Sequence, residues 1–88
     1  MGNYTGRYRP LVDHLAATEG DTLTLTFAEI ETIIGGALPF SAQTMANYWR
    51  TDSYAHVATW RRIGWVARMD RWGRRVEWRR DERNPEGK

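Results

Sequence analysis

Residues 64–80, GWVARMDRWGRRVEWRR, carry three tryptophans and six arginines, with only Asp70 and Glu77 between them. Two chemistries follow from those residue types. A guanidinium presents a planar fork of donors that matches a phosphate or a guanine edge. A flat indole offers a face on which a base can stack. Arg71, Arg74 and Arg75 crowd around Trp72, and Trp72 sits beside Gly73, where a turn gives it little to be buried against. Arg68 lies on the preceding segment. These arginines are the expected phosphate contacts, and Trp72 is the expected stacking residue.

A second set lies upstream. Ser41 is placed to cap a helix over 42–50, AQTMANYWR. At 100° per residue, Ala42, Met45, Tyr48 and Trp49 share one side. Gln43, Asn47 and Arg50 fall at i, i+4 and i+7 on the other, with Thr44 at the border. Amide and guanidinium groups are the side chains that read base edges, Gln or Asn on adenine and Arg on guanine. Those four are the expected base contacts. An ordinary solvated helix face would also be polar, so the stripe gains force only from its neighbours. A further helix is expected over 55–63, with His56, Val57, Trp60 and Ile63 inward. There Arg61 and Arg62 are added to the phosphate-contacting set. Either helix could be the one that reads bases.

Charge is unevenly distributed. The net formal charge is +2. Residues 1–48 hold two arginines against five acids, whereas 49–88 hold eleven bases against six acids. Within 61–80 eight arginines face two acids, a local +6. Such asymmetry suits a polyanionic partner. Twelve of the thirteen bases are arginine, the better phosphate fork.

Catalytic and metal sets are weak. His14 and His56 are far apart, and Asp52 with His56 makes two ligands, which is not a site. Asp70 and Glu77 are more simply read as balancing arginines across strands. IIGGALP at 33–39 lacks a phosphate-loop lysine. The expectation is a non-enzyme with no cofactor and no metal. There is no cysteine, which fits a reducing cytoplasm. No apolar run approaches the ~20 residues of a membrane span, and MGNYTGRYRP has no apolar signal core.

The elements that must position these residues can be read in order. Pro10 opens a helix that buries Leu11, Val12 and Leu15. TLTLT at 22–26 alternates as a strand, with Leu23, Leu25 and Phe27 on one face. Thr26 and Glu29 form a capping box for a helix that buries Phe27, Ile30, Ile33 and Ile34 and stops at Gly35. WVARMD and RVEWRR alternate about RWGR as a hairpin, with Trp65 and Trp78 in the core. The order helix, strand, helix, helix, a further helix and a hairpin is that of a winged helix-turn-helix, an α+β fold. It has three or four helices, and the early strand joins the hairpin (the wing). Residues 1–80 form the single domain, and 81–88 the disordered tail.

The chain also resembles an uncharacterised family of small bacterial and phage domains. The resemblance rests on YRPLVDHL at 8–15, LTFAEIETIIG at 25–35, LPFSA at 38–42, Trp49, and ATWRRIGW at 58–65. It implies a compact helical domain ending in a hairpin, and it brings no established activity.

Together these features point to a nucleic-acid-binding protein. Double-stranded DNA is favoured over RNA, and the size suits a phage or mobile-element regulator. The rival is a protein-interaction module, an accessory subunit or inhibitor of a host nucleic-acid enzyme, with the Arg/Trp hairpin as its patch. Helix-turn-helix proteins often act as homodimers, but no dimer helix stands out. Glu29 and Glu31 precede the base-reading helix, and Glu31 must point away from a duplex for that reading to hold.

Overall fold

The computed structural model describes residues 6–81. Pro10 lies in the first turn of α1 (Arg9–Ala17), which buries Leu11, Val12 and Leu15. β1 (Thr22–Thr26) runs directly into α2 (Phe27–Ile34). The junction is a full capping box. Thr26 Oγ1 accepts from the Glu29 N–H, and Glu29 Oε1 accepts from the Thr26 N–H. Phe27 and Ile30 are buried, whereas Ile33 and Ile34 are only half-buried at the edge of the core. Gly35 ends α2 at φ 75°, the left-handed conformation that glycine adopts without a Cβ clash.

The expected helix over 42–50 is two short ones, α3 (Phe40–Thr44) and α4 (Asn47–Arg50). Pro39, not Ser41, is the N-cap of α3, and the chain extends at Met45 with φ −114° and ψ 113°. Trp49 occupies the break. Its Nε1–H donates to the Ala42 carbonyl at 2.7 Å, the acceptor that an uninterrupted helix would give to the Ala46 N–H. Bending the chain there lets the indole become fully buried. Of the four buried indoles, Trp49 is the one whose N–H is bonded; those of Trp60, Trp65 and Trp78 have no partner among the described residues.

α5 (Ala55–Arg62) follows and buries His56, Val57 and Trp60. Ile63, expected on the same inner side, is 40% exposed just past the helix end. β2 (Trp65–Asp70) and β3 (Arg75–Arg80) form the hairpin, paired from Trp65↔Arg80 to Asp70↔Arg75. β3 also pairs with β1, from Thr22↔Arg79 to Thr26↔Arg75, so the sheet order is β1-β3-β2. The early strand thus finds the partner it needs. Among the described residues the architecture is five helices against one three-stranded antiparallel sheet, an α+β fold.

The core is built of rings. Trp49, Trp60, Trp65 and Trp78 are all fully buried. Trp49 and Trp60 stack at 5.9 Å and 11°, and Trp78 stands edge-on to both at 6.0 and 5.6 Å. Offset stacking and edge-to-face contact are the arrangements that the ring quadrupole favours. An aromatic annex extends this core, with Tyr8, Tyr48 and Tyr54 around His56. The tail expected to be disordered lies outside the described residues except Asp81, whose N–H is bonded to the Gly64 carbonyl. No described helix is long and apolar enough to cross a membrane.

Candidate nucleic-acid interface

Strand alternation sends successive side chains to opposite faces of the sheet. Trp65, Ala67, Val76 and Trp78 go inward, onto the helices. The residues between them form the open face in three rows. Arg79 lies between Thr22 and Val66, Glu77 between Thr24 and Arg68, and Arg75 between Thr26 and Asp70. β1 contributes only hydroxyls, so the charge lies on β2 and β3.

Two grooves cross this face and share Arg68 and Glu77. One, of about 430 Å³, runs toward the helices and is lined by Arg50, Val66, Ala67, Arg68, Glu77 and Arg79. α4 packs along β2, and this is what brings Arg50 over the sheet. The other, of about 530 Å³, runs to the hairpin tip, where Asp70, Arg71, Trp72 and Arg75 close it. Arg50 is thus on the same face as the hairpin arginines. Arg50, Arg68 and Arg79 are exposed, and among the described residues none has an ion pair or hydrogen bond. Five arginines and two acids (Arg50, Arg68, Arg71, Arg75 and Arg79 against Asp70 and Glu77) leave the face at +3.

The other predicted residues are placed as follows. Gln43 is half-buried and its Nε2 donates to the Leu38 carbonyl at 3.1 Å. Thr44 Oγ1 donates to the Phe40 carbonyl at 3.0 Å. Asn47 is exposed on α4, one turn before Arg50. The expected stripe is therefore not one continuous face, because the break at Met45 separates its first half from its second. Arg61 lies 3.8 Å from Asp52, and Arg62 is exposed at the end of α5. Arg71 stacks over the Trp72 ring at 5.4 Å.

The hairpin tip is held by its own contacts. Asp70 Oδ1 accepts from the Gly73 N–H at 2.9 Å, and Asp70 Oδ2 pairs with Arg75 at 3.0 Å. A Cβ on Gly73 would lie 2.5 Å from Asp70 Oδ2 and 2.8 Å from Arg75 Cζ, so a larger residue there would displace the ends of those two side chains. The left-handed residue of the turn is Arg74 at φ 54°. Two contacts hold it in that unfavourable conformation. Its carbonyl accepts from the Phe27 N–H at 2.8 Å, and its guanidinium lies 5.2 Å over the Phe27 ring. Arg74 thereby ties the hairpin to the start of α2. Trp72 does not fold back over the sheet and is 88% exposed.

Three acids depart from, or refine, the sequence reading. Glu31 Oε2 accepts from the Leu38 N–H at 2.9 Å, so its charge pins the connector after α2. Asp70 balances an arginine across the hairpin as expected, but Glu77 does not, having no ion pair or hydrogen bond among the described residues. Arg80, adjacent to Arg79, turns inward. It stacks 4.1 Å over Trp65 and donates to the carbonyls of Thr18 and Gly20. Arg79 was legible from the alternation of RVEWRR. Nothing in the spacing announced that Arg50 would join it.

His56 titrates below its ordinary value. Burial lowers its pKa below the ordinary 6.5, against a smaller raising effect of its contact with the Tyr48 carbonyl at 2.8 Å. Among the described residues no group of three or more His, Cys, Asp or Glu is placed to hold a metal ion.

Comparison with known proteins gives one family. No curated protein and no solved structure matches the chain. A family model described as Domain of unknown function (DUF7662) matches residues 8–82, nearly the whole sequence, and the chain belongs to that family.

Proposed function

We propose that this protein binds double-stranded DNA through the open face of its sheet. The observation that carries the reading is the gathering of Arg50, Arg68 and Arg79 from three elements onto one surface, all exposed and unpaired. Unpaired guanidinium groups beside one another repel, and a polyanion relieves that repulsion while releasing its counterions. Arg71 extends the surface to the hairpin tip. Asn47, exposed one turn before Arg50, is the residue of the expected stripe whose amide is left for a base edge. Phosphate contacts set affinity, and a base contact there adds preference.

The fold reading that goes with this is winged-helix-like. It is supported by the order α1-β1-α2, helices, then hairpin, and by the strand order β1-β3-β2. By position, α5 is the helix immediately before the wing, and Arg62 at its end adds a phosphate contact from that side. A chain of this size suits a regulator carried by a phage or mobile element.

Removing the charge from the face tests the proposal. Arg68→Ala and Arg79→Ala should each weaken binding to a random-sequence duplex and lower the salt slope by about 0.9. Unchanged binding in both variants would remove the open face from the interface. The exposed Trp72 and its neighbour Arg71 also suit a protein partner, since such pairs anchor interfaces. That reading expects little salt dependence.

A further inference from the structure

One charge on the open face does not fit a surface made only for phosphates. Glu77 sits at the centre of β3, flanked by Arg75 and Arg79 on its own strand and opposite Arg68. It nevertheless forms no ion pair among the described residues, and it lines both grooves. A phosphate would be repelled there. A neutral group that donates hydrogen bonds would be held. Along the same groove the wall at the hairpin tip is Trp72, a flat ring exposed to solvent and stiffened by the Asp70–Gly73 turn. Strand rise places Glu77 about 7 Å along β3 from Arg75, and Glu77 and Trp72 line the same groove. The groove's volume of about 530 Å³ lies inside the ~300–1,000 Å³ of small-ligand sites.

We propose that this cleft holds one unpaired nucleotide of the bound DNA, and that the base it prefers is guanine. The inference rests on the DNA reading above and names the kind of DNA. Trp72 stacks on the base, Arg71 and Arg68 take the flanking phosphates, and Glu77 accepts from the base edge. Guanine presents two adjacent donors, N1–H and N2–H, to a carboxylate with two acceptor oxygens. Thymine offers one donor between two carbonyls, which the carboxylate repels. The protein then recognises a duplex that carries a single-stranded extension, a fork or a flipped base.

The test uses the protein's own probe. Of its five tryptophans four are fully buried and only Trp72 is exposed, so collisional or stacking quenching reports on that ring. The full chain is titrated with a blunt duplex and with the same duplex bearing a one-nucleotide guanosine or thymidine overhang. The guanosine overhang should raise affinity about tenfold, within what base–aromatic stacking supplies, and should quench Trp72. Trp72→Leu should abolish the gain. Glu77→Gln should erase the preference for guanosine over thymidine. Equal affinity for blunt and extended duplexes, without quenching, would overturn the nucleotide site and leave the duplex reading standing. Binding of the extended DNA alone, with quenching, would support the cleft and remove the duplex reading. Absence of binding to either would overturn both.

Discussion

Arg79 and Arg80 are neighbours in sequence and opposites in use. Arg79 stands on the open face with no side-chain partner among the described residues, whereas Arg80 stacks over Trp65 and donates to two carbonyls. Hydrogen bonds from a charged donor are each worth about 1.5–3 kcal/mol. Arg80→Ala removes two such bonds and should therefore cost about 3 kcal/mol in denaturant unfolding, whereas Arg79→Ala should stay within about 0.5 kcal/mol of the parent, as surface changes do. Equal costs would mean that the two side chains share one environment. His56 gives a prediction in pH. Its pKa is lowered in the folded protein, so protonation favours the unfolded chain. Its contribution is intact above the unfolded pKa near 6.5 and is lost as pH falls from there through the folded value. His56→Gln should flatten the stability profile across that interval, measured as unfolding midpoints from pH 7.5 downward. A profile unchanged by the substitution would place the acid sensitivity elsewhere.

Among the elements, the break between α3 and α4 decides most. Trp49→Phe removes the Nε1–H that holds the Ala42 carbonyl and leaves a void between Trp60 and Trp78. Lost packing plus an orphaned acceptor should cost about 2–4 kcal/mol, a large part of the stability of so small a domain. Gly73→Ala should loosen the Asp70–Arg75 contact at the tip and weaken DNA binding without unfolding the core. Unchanged hairpin hydrogen exchange in that variant would contradict the close packing there.

The same break explains what could be read in advance. The capping box at Thr26 and Glu29, the stop at Gly35 and the alternation of both hairpin strands are local signals, set within a few residues, and each appears in the structure. The helix over 42–50 failed although its periodicity was sound, because tertiary packing overrides local pattern: the chain breaks at Met45, and the buried Trp49 N–H takes the Ala42 carbonyl that a continuous helix would use. Gln43 and Thr44 are taken up locally, Gln43 by the Leu38 carbonyl ahead of α3 and Thr44 by the Phe40 carbonyl one turn back. The open face was half legible. Alternation gives Arg68, Arg75, Glu77 and Arg79 a common side, but Arg50 joins them only through the packing of α4 along β2.

For the whole molecule, the division of labour is between an inward face of rings and an outward face of arginines on the same three strands. The core does not depend on the cationic face, so charge can be removed there without unfolding the protein. The central claim is that this face binds duplex DNA. The most direct measurement is a fluorescence-anisotropy titration of a random-sequence duplex at several salt concentrations. Phosphate contacts from Arg50, Arg68, Arg71 and Arg79 predict micromolar affinity at low salt, with log K falling against log salt at a slope of roughly −3 to −4. No binding at low salt, or binding indifferent to salt, would contradict the account.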